Sequence, residues 1–461
     1  MMCSLDFVNH AMVYTSALAE VPSEEAAPLI LAGVLLSLMV IYFASKLGGE
    51  LSKLIGLPPV LGELVSGVLV GVSALHLLVF PEIGVDVSSS VLMTTLQTLM
   101  GTSGETLEYV FATQGEIISV LAELGVIILL FEIGLESDIK ELQKVGWQAA
   151  IVAIVGVVAP FALGTVGLMG LFHVAAIPAI FAGAALTATS IGITSKVLSE
   201  LGQLRSREGQ IIVGAAVMDD VLGIIVLAVV ASLAKTGDVS VINVATLIGS
   251  ASGFLLGAIL VGRGFNQVFG SISDRLQTRG NLVIPALTFA LFLAFVAQVV
   301  HLEAILGAFA AGLVLDETDQ RKELDRQIIP IADVMVPIFF VTVGARVDLS
   351  VLNPIYPENR PGLIIAAFLI VVAIIGKTIS GWAIFGKEPV NRLAVGVGMI
   401  PRGEVGLVFA GIGAASGTLD RPLQAAIIAM VILTTLVAPL MLRWAFREDP
   451  AVAETADLPG S

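Results

Sequence analysis

Residues 211–234, IIVGAAVMDDVLGIIVLAVVASLA, form an apolar run of membrane-spanning length whose only charges are two adjacent carboxylates, Asp219 and Asp220. An ionisable residue at mid-membrane costs about 2.5–3.5 kcal/mol on insertion scales, so it is kept only where it meets a partner or water. Consecutive helical residues point about 100° apart, so the two carboxylates address different neighbours. One is expected to pair with a buried base and the other to face a water-filled cavity.

The rest of the chain has the same character. Of its 461 residues 57% are hydrophobic and 13% charged, and the mean hydropathy is +0.99. That is far from the balance of a soluble globular protein. A hydrocarbon core about 30 Å thick takes roughly 20 residues of helix to cross. Apolar runs of that length follow one another without the alternation of a β-barrel, which predicts an all-α polytopic membrane protein. Net charge is −15 and the basic residues are scattered, which argues against nucleic acid as a partner. A single cysteine, Cys3, excludes an intrachain disulfide framework. Met1 to Glu20 holds no Lys or Arg and so lacks the basic start of a signal peptide.

Polar punctuation divides the runs into thirteen expected spans: 28–47, 58–79, 116–135, 146–170, 175–200, 207–234, 239–262, 281–299, 303–317, 328–347, 361–385, 390–415 and 420–446. Pro28, Pro58 and Pro361 mark three of the starts, where a missing amide hydrogen costs least. An odd count puts the termini on opposite sides. Seventeen of the 23 Lys and Arg residues then fall on one side, against Lys235, Arg346, Arg360 and Arg421 on the other. The positive-inside bias makes the N-terminus outside or lumenal and the C-terminus cytoplasmic. The organisation expected is an extracytoplasmic segment 1–27, one transporter unit 28–446 and a short acidic tail 447–461. In the loop 80–115, VLMTTLQTLM carries Val91, Leu92, Leu96, Leu99 and Met100 near one face and reads as an interfacial helix. Gly67 with Gly71 and Gly253 with Gly257 have the spacing of close helix contacts. His76, His173 and His301 lie near span ends and read as solvated loop residues.

Two bases remain inside spans, Lys377 in AAFLIVVAIIGKTISGW and Arg402. Lys377 is too deep to snorkel, so it is the expected partner of one aspartate. Arg402 belongs to VGVGMIPRGEVGLVFAG (395–411), in which Gly398, Pro401, Gly403, Glu404 and Gly406 interrupt the twelfth span. The fifth span is interrupted likewise in ALTATSIGITSKV (185–197) by Thr187, Thr189, Ser190, Gly192, Thr194 and Ser195. Such breaks free backbone groups that hydrocarbon cannot satisfy, so they line a cavity or lie inside protein. The two spans are seven apart and run in opposite directions, the trace of an inverted repeat with a site between its halves. Arg402 and Glu404 read as a local ion pair or a cap of the unwound segment.

A carboxylate that holds either a proton or a metal cation makes the two compete. If the site opens to one side at a time, competition becomes antiport. Hydroxyls and freed carbonyls add hard oxygen ligands suited to a small cation. An intramembrane aspartyl protease is disfavoured, because acid/base catalysis needs carboxyls on separate helices facing one water. A passive cation channel is disfavoured by the lack of a repeated filter motif. Neither an enzymatic role nor a resident cofactor is expected.

On PPVLGELVSGVLVG (58–71), LGVIILLFEIGLE (124–136), ALTATSIGITSKVL (185–198), AAVMDDVLGI (215–224), LGAFAAGLVL (306–315), VPIFFVTVGARVDL (336–349), GKTISGW (376–382) and PRGEVGLV (401–408), the chain resembles the monovalent cation/proton antiporter family 2, its cyanobacterial sodium/proton members especially. The resemblance implies thirteen transmembrane helices, a dimerisation domain interleaved with a six-helix core, and fifth and twelfth spans that cross at their unwound middles. It implies a homodimer working by elevator-like alternating access, in a bacterial cytoplasmic or thylakoid membrane. By the same resemblance Asp220 is the main carrier of cation and proton and Asp219 the partner of Lys377. Thr189 and Ser190 lie near the transported Na+, while Thr187, Thr194, Pro401, Arg402 and Glu404 shape the unwound segments or gate them. Members with Gln-Asp in place of Asp-Asp lean toward K+, so Asp219-Asp220 favours Na+, with K+/H+ exchange on the same fold as the alternative.

Overall fold

The computed structural model describes residues 23–81, 85–101, 104–236, 241–353, 359–385 and 389–447. Most of the expected N-terminal segment and nearly all of the acidic tail lie outside these. In chain order the helices are α1 (Ser23–Leu54), α2 (Pro59–Val70), α3 (Val91–Met100), α4 (Gly104–Glu136), α5 (Ile139–Leu171), α6 (Ala176–Ala185), α7 (Ile191–Glu200) and α8 (Arg207–Thr236). They continue with α9 (Val241–Arg275), α10 (Val283–Val299), α11 (Ala304–Asp316), α12 (Arg321–Ala345), α13 (Asn359–Trp382), α14 (Arg392–Gly398), α15 (Glu404–Ala415) and α16 (Arg421–Arg447). The described residues contain helices and no strand. Seven of the helices, α1, α4, α5, α8, α12, α13 and α16, are long and apolar enough to cross a membrane.

Several boundaries differ from the expected ones. Helix α4 starts twelve residues before 116, and α9 runs to Arg275 instead of 262. Neither GETLEYVFATQG nor RGFNQVFGSISDR contains a proline, so nothing stops either helix where the hydrocarbon would end. Pro58 directly precedes α2 and Pro361 lies in the first turn of α13, but Pro28 lies inside α1.

The chain divides into two compact units. The first comprises Met1–Leu51, Gly62–Leu124 and Pro337–Asp348. Its core gathers Ala26, Leu29, Val79, Leu107, Val110 and Phe111 around Leu92, Met93 and Leu96 of α3. That corrects the expected face of α3, since Val91, Leu99 and Met100 are exposed. The helix is capped by Ser90, whose hydroxyl accepts from Met93 N. A buried hydrogen bond from Gln114 Nε2 to Ser37 Oγ, 2.8 Å, ties α4 to α1. Gly67 and Gly344 meet backbone to backbone, a Cβ on Gly67 falling 2.9 Å from the Gly344 Cα.

The second unit comprises Ser52–Leu61, Gly125–Val336 and Leu349–Ser461. One of its cores centres on Phe181, Leu369, Phe409 and Met430, the other on Phe131, Phe269, Phe289 and Leu306. Gly134 of α4 and Gly312 of α11 meet as reciprocal glycines: a Cβ on Gly312 would fall 2.8 Å from the Gly134 Cα, and one on Gly134 2.5 Å from Phe309 O. Gly376 of α13 packs as tightly on Pro160 of α5. Gly253 and Gly257 of α9, by contrast, have nothing within 4 Å of their Cβ positions, so their expected role in close packing within the chain is not met.

His76, His173 and His301 have φ of 52°, 56° and 64°. His173 and His301 directly follow the C-caps of α5 and α10 and are exposed. Bonds from Val174 N to Leu168 O and from Leu302 N to Ala297 O close the two turns around them. These are positions that usually take glycine, filled here by a residue type that tolerates the left-handed region. Both are exposed, and their immediate work is to end helices.

Substituting Gly312→Val should force apart two backbones that now touch, at about 1–3 kcal/mol. The apparent Tm of detergent-purified protein should fall by several degrees, whereas Gly253→Val should leave it unchanged.

Candidate functional site

Helix α6 ends at Ala185 and α7 begins at Ile191, while α14 ends at Gly398 and α15 begins at Glu404. Clustered hydroxyl residues interrupt the first pair and Pro401 with its glycines the second. The two non-helical segments cross, and each satisfies the other. Thr194 Oγ1 donates to Gly398 O at 3.0 Å, Thr189 Oγ1 to Met399 O at 3.0 Å, and Ser190 N to Pro401 O at 2.8 Å. Arg402 Nη1 donates to Ala188 O. Gly398 is met from the far end of the first segment, by Thr194, and Arg402 reaches its near end, at Ala188, with Thr189 and Ser190 bonded in between, so the segments run in opposing directions. Gly403 gives Ser190 its room, a Cβ there falling 3.1 Å from the serine Oγ. Thr187 instead caps its own helix, donating to Ala184 O at 2.8 Å.

Helix α8 lies beside this crossing. Ile212, Asp219 and Gly223 share one face at helical spacing. Ile212 abuts Gly398 and Gly223 abuts Ala188, which sets Asp219 between the two broken segments. Asp219 Oδ2 accepts from Lys377 Nζ of α13 at 2.9 Å, and neither side chain has any exposed surface. Gly156 of α5 lies against the Lys377 side chain, 3.5 Å separating its Cβ position from Nζ. Asp220 is buried too, with 4% of its surface exposed. The carboxylate expected to face a water-filled cavity is thus buried in this structure. Lys377 lies within Coulombic reach of both aspartates and of Arg402.

The expected ion pair between Arg402 and Glu404 is not the contact that holds Arg402. The guanidinium is wholly buried and reaches across to Ala188 O, with Nε and Nη2 making no hydrogen bond among the described residues. The Glu404 side chain lies outside the described residues. Arg402 O accepts from Thr435 Oγ1 of α16 at 2.7 Å. Thr435, Gly156 and the Ala188 carbonyl were not singled out in the sequence. Thr434-Thr435 is visible there as a polar pair in an apolar helix, but Gly156 carries no signal among so many glycines.

The result is a buried cluster of charge and oxygen: two carboxylates, one ammonium, one guanidinium and the carbonyl-rich ends of α6 and α14, which carry partial negative charge. Asp219 Oδ1 and Ser195 Oγ are buried and make no hydrogen bond among the described residues. Buried polar atoms left in that state are uncommon and call for an explanation in function. No group of three or more His, Cys, Asp and Glu side chains among the described residues is arranged to hold a metal ion.

Comparison with known proteins agrees with this architecture. Residues 15–448 match the family model described as the transmembrane sodium/hydrogen exchanger. The chain is 63% identical over 422 residues to the high-affinity Na(+)/H(+) antiporter NhaS3 of Synechocystis sp., 92% of each chain being covered. It is 32% identical to the Na(+)/H(+)-K(+) antiporter GerN of Bacillus cereus, across 88% of this chain and 95% of that one. The solved structure of the sodium proton antiporter MjNhaP1 from Methanocaldococcus jannaschii superposes with a TM-score of 0.61 at 16% identity, covering 90% of this chain and 97% of that one, and so shares its fold. With two interrupted helices crossing beside a buried aspartate pair, and with a match over nearly its whole length, the chain belongs to the transmembrane sodium/hydrogen exchanger family.

Proposed function

We propose that the protein is a secondary active transporter that exchanges Na+ for H+ across a membrane by alternating access, with Li+ as a possible second cargo. Cation and proton take turns on Asp220, supported by Asp219 and by the oxygens of Thr189 and Ser190, while Lys377 balances the charge. The observation that carries this reading is the Lys377–Asp219 pair with Asp220 beside it, deep in the protein at the crossing of the broken helices. Lys377 is bonded to Asp219, and we assign the exchangeable ion to Asp220, because an acid at that depth is kept only where it serves a purpose. Relatives named as Na(+)/H(+) antiporters support the choice of Na+, and a relative named for both Na(+) and K(+) keeps K+/H+ exchange as the alternative.

The remaining parts of the reading follow the family. We take the working form as a homodimer in a bacterial cytoplasmic or thylakoid membrane, with thirteen spans and the N-terminus outside or lumenal. It needs no resident cofactor and performs no covalent chemistry. Na+ and H+ are its cargo.

In proteoliposomes carrying an imposed pH gradient, Na+ should dissipate the gradient and K+ should not. A response to K+ alone would replace Na+ with the alternative. Asp220→Asn should reduce the Na+ response to background in protein that still purifies as a folded species, and normal exchange by that variant would remove Asp220 from its role. Because proton and cation share a site, the apparent Na+ affinity should weaken by up to about tenfold per unit fall in pH once protons occupy it. Affinity measured by calorimetry that is flat with pH would contradict the shared site. Lys377→Ala leaves a buried carboxylate without its partner, a loss of about 3–5 kcal/mol. Its Tm should fall markedly, and adding Asp219→Asn should recover most of the loss.

A further inference from the structure

The chain has three tryptophans. All are exposed, Trp147 by 78% and Trp382 and Trp444 by 52% each. They stand on different helices of the second unit, at the start of α5, the end of α13 and the last turn of α16. One run of hydrogen bonds links these ends. Arg207 Nη2 donates to Gln148 Oε1 at 3.3 Å, next to Trp147. Glu208, the residue after Arg207, accepts from Asn391 N at 2.9 Å. Asn391 Nδ2 donates to Ala445 O at 3.0 Å, next to Trp444. Gly381, next to Trp382, packs on Arg392 O, one residue from Asn391. All three indoles therefore gather at one end of this unit, the end that carries its basic loops.

The charge around them is unbalanced. Arg392 and Arg447 are exposed and Arg443 is half-buried, and none of the three makes an ion pair among the described residues. Among the described residues, two acids close by are engaged, Glu141 with Lys144 at 2.5 Å and Glu208 with Asn391. Exposed indole at the end of an apolar helix suits the headgroup level of a bilayer, apolar body inward and N–H toward water. Unpaired arginine at the same level suits an anionic headgroup, at about 1 kcal/mol for each basic residue.

We propose that this end of the second unit is a lipid-binding belt, in which Trp147, Trp382 and Trp444 sit at the headgroup level of one leaflet and Arg392, Arg443 and Arg447 recruit its anionic phospholipids. The belt fixes the depth of the unit in that leaflet, whichever cation the protein carries. Because these are all the tryptophans in the chain, fluorescence of the unmodified protein excited at the red edge, where its tyrosines do not absorb, reports on the belt.

The test uses wild-type protein in vesicles of phosphatidylcholine and phosphatidylglycerol, with bromine placed either near the headgroup end or near the tail end of one lipid's acyl chains. Headgroup-end bromine should quench more strongly than tail-end bromine. Brominated phosphatidylglycerol should quench about twofold more than brominated phosphatidylcholine at equal mole fraction. The combined variant Arg392→Gln, Arg443→Gln, Arg447→Gln should bring the two lipids to equal quenching without altering the depth. Equal or stronger quenching by tail-end bromine would overturn the placement. So would quenching by aqueous iodide alone, or shielding from both quenchers, the mark of a protein partner or second copy on this face. A phosphatidylglycerol preference unchanged in a folded triple variant would overturn the role of the arginines.

Discussion

A helix that stops halfway through a membrane leaves backbone groups that hydrocarbon cannot satisfy, and in this protein the answer to one interrupted helix is a second one. Met399, Gly398 and Pro401 offer carbonyls that the first segment's hydroxyls and amide fill, and Arg402 fills a carbonyl in return. Neither segment would be tolerable alone. The polar, irregular backbone that a small cation requires is thereby held in a defined shape, and α8 can set Asp219 and Asp220 against it. The placement of Asp219 depends on the crossing together with Lys377 of α13.

The charges are arranged by the same economy of space. Lys377 bonds to Asp219 with Gly156 packed against its side chain. Arg402, equally buried, supplies a second positive charge and serves as a structural donor across the crossing. Two positive and two negative groups buried together nearly cancel, and adding one small cation or one proton disturbs that balance by comparable amounts. Such near-equivalence is what a site needs if either ion is to displace the other.

The parts legible in the sequence were those that cost most in hydrocarbon. Asp219, Asp220, Lys377 and the two breaks stand out because each violates an apolar run, and violations of that kind persist only for a reason. Helix ends were less legible: α4 and α9 overrun the expected boundaries because composition changes at the membrane surface while the backbone does not. The face of α3 was ambiguous over so short a helix, where apolar residues occur on more than one side and only packing decides which is covered. Arg402 was expected to pair with Glu404 or to cap the unwound segment, but sequence adjacency could not point to the acceptor it is seen to meet, which lies 214 residues away. Thr435 was hidden for a similar reason, since a threonine in an apolar helix ordinarily bonds to its own preceding turn. Thr435 does that, to Val431 O, and bonds to Arg402 as well.

The long separations across the crossing bear on how such a chain is assembled. Thr189 and Met399 are 210 residues apart, and Asp219 and Lys377 are 158 apart. During synthesis the first broken helix and the aspartate pair must therefore enter the bilayer long before the residues that complete them exist. Until then their exposed polar groups have to be sheltered by retained water, by neighbouring helices or by the insertion machinery. The ion-handling centre, for all its depth, is among the last regions of the protein to acquire its native contacts.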